Sequence, residues 1–155
     1  MTATSPRPTG RPPKSNGPPV LADTSGLYAI LDADDRHHPV AIDSWPLLLD
    51  SARTILLHHF VLQDLWALLQ ARLGMEGVVV FQRDYLPLFL LWPVTGDLLA
   101  RGMSRCLGAG RRDLSLTDCV SLEIATDQGI NRAFAFDRHF REAGLLLPGD
   151  SSWPG

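Results

Sequence analysis

Cysteine is scarce in this chain: Cys106 and Cys119 are the two in 155 residues. Their spacing fits neither a CxxC pair nor a Cys/His ligand set. A disulfide framework and a zinc site are both excluded, and the two residues read as small apolar groups in a reducing compartment. Lysine is scarcer still and occurs once, at Lys14, so almost every basic group is an arginine. Long apolar runs are missing as well. The most hydrophobic segment, 78–94, is broken by Arg83, Asp84, Pro87 and Pro93, too often for a membrane span. No secretory leader can be read in the proline-rich N-terminal residues. The expectation is a cytoplasmic protein that does not engage a membrane.

Excess positive charge is also lacking. The net charge is −3, and Arg7, Arg11 and Lys14 lie in a segment without acids, so the remainder is more acidic than that figure indicates. An acidic body argues against a broad nucleic-acid-binding surface. It leaves room for a nuclease whose acids hold metal and whose metal meets phosphate.

A hydrophobic fraction of 45% in 155 residues supplies the core of one domain. Residues 1–19 hold six of the twelve prolines and no core-forming pattern, so an unpacked tail is expected there. The folded domain is expected over 20–150. Val20-Leu21-Ala22 reads as a buried strand that ends in the polar turn Asp23-Thr24-Ser25-Gly26. A helix follows from Leu27, with Thr24 or Ser25 as its N-cap. A loop over 32–39 and a helix over 41–53 come next. Apolar residues at helical spacing predict a helix from His58 to Leu73, with Gly74 as its stop. Further helices are expected around Leu86–Leu91, from Gly96 to Leu107, and from Ser115 to Gln128 with Gly129 as the end. Ala133 to Phe136 reads as a strand, with Asp137 directly after it. Strands alternating with helices imply an α/β fold, a mainly parallel central sheet flanked by helices.

Four carboxylates stand out. Asp23 and Asp137 each follow an apolar strand, and ligands of open α/β sheets bind beyond the carboxyl ends of the strands. A turn or cap role is the bland alternative for either one. Asp64 falls on the stripe Leu57–Val61–Asp64–Leu68, which predicts an inward face where a carboxylate needs a partner or a metal. Asp118 sits three residues after Ser115 and reads as the far side of a capping box. Two like charges about 5 Å apart repel by roughly 3 kcal/mol at an effective dielectric near 20. Four acids in one crevice therefore call for protons or for hard divalent cations, and oxygen ligands suit Mg²⁺ or Mn²⁺. Thr24, Ser25 and Thr117 are placed to orient these acids, although capping accounts for them too, and Arg138 is placed to meet a phosphate, although an exposed arginine beside an acid is more often simply solvated. The histidine pairs His37-His38 and His58-His59 read as loop and helix-surface residues. The aromatic residues read as core, with no basic–aromatic interleaving for stacking single strands.

In their order and spacing these segments resemble the PIN-domain ribonucleases. The opening is Asp23-Thr24-Ser25-Gly26 with Ala29, Asp35, His38 and Ala41; then come the helix 61–74 and Leu114-Ser115-Leu116-Thr117-Asp118-Cys119-Val120-Ser121. Last is Phe134-Ala135-Phe136-Asp137-Arg138-His139-Phe140 with Gly144. The likeness spans about residues 20–147 and is greatest to the VapC-type toxins of bacterial toxin–antitoxin pairs. It implies a metal-dependent endoribonuclease, usually dimeric and held inactive by a cognate antitoxin, with Asp23, Asp64, Asp118 and Asp137 as its acids. The family has glutamate where this chain has Asp64. That departure supports a rival reading, a PIN-fold module that binds RNA or an antitoxin without cutting. A phosphatase of the haloacid-dehalogenase type needs a second aspartate two residues after the first, and Ser25 stands there.

Overall fold

The sheet is built around the first apolar triplet of the folded chain. In the computed structural model, which describes residues 18–51 and 53–154, strand β1 is Val20–Ala22 and is buried throughout. The expected proline-rich tail lies outside the described residues apart from Pro18 and Pro19. After β1 come helix α1 (Thr24–Leu31), helix α2 (His38–Asp50), strand β2 (Ile55–His58), helix α3 (His59–Arg72) and helix α4 (Gly74–Val80). A π-helical turn at Phe81–Tyr85 and a 3-10 turn at Leu86–Leu88 lead into strand β3 (Phe89–Trp92). Helix α5 (Gly96–Ala109), helix α6 (Leu116–Gln128), strand β4 (Ala133–Phe134) and helix α7 (Arg138–Glu142) complete the order. Every strand pairing is parallel, in the order β3-β2-β1-β4. The α/β fold with a mainly parallel sheet flanked by helices is as the sequence led one to expect.

Alternation along the strands sorts their side chains to two faces. Val20, Ala22, Ile55, Leu57 and Phe134 pack with Leu27, Ala41, Leu48, Val61, Leu65 and Leu69 on the side of α1–α4. Leu21, Leu56, Ala133 and Ala135 pack with Leu98, Val120, Ile124 and Phe140 on the side of α5–α7. Each fully buried leucine contributes about 1.5–3 kcal/mol of apolar transfer energy, so both helix layers are anchored by the sheet.

Two expectations fail here. Leu57 and His58 belong to β2 and not to the helix that follows. The helix expected around Leu86–Leu91 is instead a single 3-10 turn followed by strand β3, which starts at Phe89. Ile55–Leu57 of β2 and all four residues of β3 are apolar without a break, so neither strand carries a period of two by which to tell it from a helix. By contrast α6 begins and ends where its chemistry places it. The Ser115 side chain accepts the Asp118 N–H and the Asp118 side chain accepts the Ser115 N–H. Gly129 closes the helix at φ 62°, a left-handed conformation that other residues adopt at a cost. Cys106 and Cys119 are free thiols, as expected. Among the described residues no helix is long and apolar enough to cross a membrane.

Candidate active site

β1 pairs with β2 on one side and with β4 on the other. The chain therefore leaves β1 in one direction and returns on the opposite side. The crevice beyond the carboxyl ends of β1 and β4 is the topological switch point of the sheet. Asp23 follows β1 there, and its backbone N–H donates to the Phe134 carbonyl at 3.2 Å. Gly26 permits this closeness: a Cβ at that position would lie 2.2 Å from the same carbonyl oxygen.

Asp23, not Thr24 or Ser25, is the N-cap of α1. Its Oδ2 accepts the Ser25 N–H at 3.1 Å and the Ser25 hydroxyl at 2.6 Å. That hydroxyl in turn accepts the Phe136 N–H at 3.0 Å. Ser25 thus ties the end of β1 to the segment that delivers Asp137. Asp137 caps α7 by accepting the His139 N–H at 3.2 Å. Asp118 stands at the start of α6 in its capping box. The N-termini of α1, α6 and α7 therefore meet at one place, and their unpaired N–H groups and dipoles favour negative charge there.

Asp23, Thr24, Ser25, Asp64, Asp113, Ser115, Thr117, Asp118 and Asp137 line one open cleft of about 400 Å³. All four aspartates singled out in the sequence are among them. Asp64, however, is not on an inward face. The buried stripe of α3 is Val61, Leu65 and Leu69, and Asp64 is exposed beside it. A stripe counted from Leu57 turns Asp64 inward wrongly, because Leu57 lies in the strand and not in the helix. Asp64 reaches the cleft from its rim and accepts the Thr117 hydroxyl at 2.7 Å.

The electrostatics single out the deepest acid. Burial pushes the Asp23 carboxyl up to about 6; the hydrogen bonds from Ser25 oppose this, and the charges of Asp118 and Asp137 add to it. Asp118 is also raised, chiefly by burial, against its hydrogen bonds with Ser115. A cation in the cleft would relieve both, and carboxylate oxygens suit a hard divalent ion. The donor set therefore fits Mg²⁺ or Mn²⁺. Asp113 shares the cleft but is already neutralised: Arg111 and Arg138 hold its carboxyl well below the usual range. Arg138 is correspondingly not an unengaged cation. It pairs with Asp113 at 2.7 Å and approaches Glu142 at 3.7 Å.

Two residues near the site acquire a role only in three dimensions. Asp113 looks like any loop acid until Arg111 and Arg138 close on it. His139 is buried, and its ring with Asp118 and Asp137 forms the one group among the described residues in which three ligand atoms lie within 4.8 Å of one another. Asp23 and Asp64 line the same cleft outside that close group. The other histidines divide differently from expectation. His37 stacks on Phe136, with ring centroids 4.5 Å apart, and His38 Nδ1 contacts the Ala29 carbonyl at 2.6 Å. His58 is wholly buried at the end of β2, where a helix-surface residue was expected.

No family model matches the chain. It is 27% identical over 128 residues to the 23S rRNA-specific endonuclease VapC20 of Mycobacterium tuberculosis, a match covering 82% of this chain and 95% of that protein. The crystal structure of VapC20, described as a Sarcin-Ricin loop cleaving toxin, superposes with a TM-score of 0.70 at 26% identity, over 82% of this chain and 96% of that one. The crystal structure of FitAcB from Neisseria gonorrhoeae superposes with a TM-score of 0.59 at 18% identity, over 83% and 95% of the two chains, a likeness of fold. The resemblance carried by the motifs is thus a homology to VapC-type toxins with the PIN fold.

Proposed function

We propose that this chain is a divalent-metal-dependent endoribonuclease and the toxin of a toxin–antitoxin pair. The observation that carries the reading is the convergence of Asp23, Asp64, Asp118 and Asp137, from four separate elements, on one open cleft at the switch point of the sheet. Homology to an endoribonuclease toxin supports the same chemistry. The cleft is open, as a polymeric substrate requires. Folded ribosomal RNA is the first substrate to test, because the relative VapC20 is specific for 23S rRNA.

Asp23, Asp118 and Asp137 would hold Mg²⁺ or Mn²⁺, with Asp64 closing the site from the rim. Such an ion supplies an activated water and neutralises charge on a phosphodiester during in-line displacement. The chain's own residues do the rest. Ser25 fixes the Asp23 carboxylate, and Thr117 fixes that of Asp64. Thr24 lines the same cleft. The helix N-termini offer N–H groups and positive dipole ends to a phosphate. Arg138, more than half exposed beside the cleft, can exchange Asp113 for a backbone phosphate. An antitoxin and a second copy of the chain are the partners this reading entails.

The test is cleavage of RNA by the purified full chain with Mg²⁺, with Mn²⁺ and with chelator. Metal-dependent cleavage that is lost in Asp118→Asn supports the proposal. The non-cutting module remains the rival because Asp64 stands outside the close ligand group. Absence of cleavage with either metal, together with intact RNA or antitoxin binding by Asp64→Ala, would decide for it.

A further inference from the structure

Resting on that reading, we infer that a second hollow beside the acidic cleft is a nucleobase subsite. There the stacked rings of His37 and Phe136 receive a base that flanks the scissile phosphate, and Arg36 holds the phosphate of that nucleotide. The hollow has a volume of about 480 Å³ and adjoins the cleft of the acids, since Ser25 and Asp137 line both. Its other walls include Arg36, His37, Phe136 and Arg138. An RNA strand with one phosphate at the acids leaves the cleft over a rim, and on this rim the next nucleotide meets rings and guanidinium groups. The volume lies in the range of small-ligand sites.

Flat ring faces beside positive charge are what a single strand binds, because every base has a face to stack and every nucleotide a charge to pair. The His37 and Phe136 rings lie within 4° of parallel, with centroids 4.5 Å apart, and both are only half-buried. Each ring is fixed through its own backbone. Asp35 Oδ1 accepts the His37 N–H at 2.8 Å. The Ser25 hydroxyl accepts the Phe136 N–H at 3.0 Å and donates to Asp23 at 2.6 Å, so one side chain sets the platform against the deepest acid. Arg36 Nε donates to His37 Nε2 at 3.0 Å, which leaves its terminal nitrogens for a ligand. No carboxylate among the described residues pairs with Arg36. Arg111 and Arg138, by contrast, are both paired with Asp113. Basic and aromatic residues do not interleave along the chain, but Arg36-His37 and Phe136 with Arg138 interleave in space.

The test is single-turnover cleavage by the full chain, with Mn²⁺, of an RNA oligonucleotide spanning a mapped cut. Each nucleotide next to the scissile phosphate is replaced in turn by an abasic residue, a comparison that needs no variant. The expected result is a loss of about tenfold in kcat/KM for the abasic residue on one side of the cut and little loss on the other. His37→Ala should lower kcat/KM for the intact RNA by a similar factor, mostly through KM, and should not lower it further for that abasic RNA. His37→Tyr should restore it. The His37 side chain makes no capping bond to α2, so that helix does not depend on it. Arg36→Ala should weaken intact and abasic RNA alike and flatten the salt dependence. RNA cut equally fast with either base missing overturns the subsite and leaves the nuclease reading standing. So do losses from His37→Ala and the abasic residue that simply add. A His37→Ala chain that cuts normally but escapes its antitoxin assigns the hollow to a protein and overturns the subsite too. If no RNA is cut with either metal, the nuclease reading falls by itself. Fluorescence of 2-aminopurine in bound RNA then decides on the subsite: quenching that is lost in His37→Ala supports it, and no such quenching overturns it.

Discussion

The Thr117 hydroxyl donates to Asp64 Oδ2 across 2.7 Å and so joins α3 to the first turn of α6. The hydroxyl gives its one proton to a carboxylate at the cleft rim, which tethers Asp64 to the start of α6. Because Asp64 is exposed, a glutamate there has room for its extra methylene.

The first prediction concerns this position. Asp64→Glu should raise Mn²⁺ affinity and cleavage a few-fold, since the carboxylate gains about 1.5 Å or less of reach toward the close ligand group. Asp64→Ala should lower cleavage about tenfold or more. Thr117→Val should fall between them, with a larger loss in metal affinity than in melting temperature. Calorimetric titration and single-turnover cleavage of RNA measure these effects. A drop in both quantities for Asp64→Glu would show a cleft already closed around aspartate.

Asp23→Asn should abolish cleavage, by about a hundredfold or more, while stabilising the metal-free protein. Asp23 is held up to about 6 against an ordinary value near 3.9, so its ionisation at neutral pH costs about 3 kcal/mol of stability. Asparagine removes that charge. Its melting temperature in chelator should exceed that of the natural chain by several degrees, and added Mn²⁺ should raise it less.

The pH dependence of the metal-free protein follows from two groups with opposite signs. Burial and then the charge of His59 lower His58 to about 3, so its contribution is complete above its unfolded value near 6.5 and is lost as pH falls from there toward 3. Asp23 is raised to about 6, so its contribution is complete below about 3.9 and is lost as pH rises through 6. Between about pH 4 and 6 the two slopes oppose each other, each up to about 1.4 kcal/mol per pH unit. Asp23→Asn should therefore lose stability on acidification faster than the natural chain, and His58→Gln more slowly. Urea denaturation in chelator at pH 5 and pH 7.5 gives both differences. Equal pH dependence in all three proteins would contradict this pairing.

Gly26→Ala should destabilise the fold by about 1–3 kcal/mol or more, because the added Cβ meets the Phe134 carbonyl oxygen at 2.2 Å. The same shift pushes α1 off β4 and parts Asp23 from Asp137. Cleavage measured on the folded fraction should then fall as well. A variant that loses stability but keeps full activity would show that α1 can move without disturbing the acids.

Much of this arrangement can be read from the residues because its signals are local. Asp23 and Asp137 follow apolar strands, Ser115 and Asp118 sit at capping-box spacing, and Gly129 ends α6, each signal spanning only a few residues. What the residues conceal depends on three dimensions. Ile55–Leu57 and Phe89–Trp92 are apolar at successive positions and show no alternation, so they merge by pattern into neighbouring helices. That merger moves the register of α3 and turns Asp64 inward. His58 looks like a surface histidine as long as the strand beneath it is unseen; its Nε2 meets the Ser121 hydroxyl at 2.7 Å, 63 positions away in the chain. Asp113 acquires meaning only when Arg138, 25 positions on, closes on it, and His139 only when Arg111, 28 positions back, reaches its ring.

The strand order has a consequence for the life of the chain on the ribosome. β4 pairs with β1, yet it is the last strand to be made. A nascent chain can assemble β1, β2 and β3 with their helices while the wall that carries Asp137 and His139 is still untranslated. Under the proposed function, the growing polypeptide holds only part of its acids and cannot cut the RNA around it until β4 and the residues after it have been made. A product truncated before Ile130 would be harmless for the same reason. Under that reading the topology ties the onset of the activity to the pairing of β4 with β1.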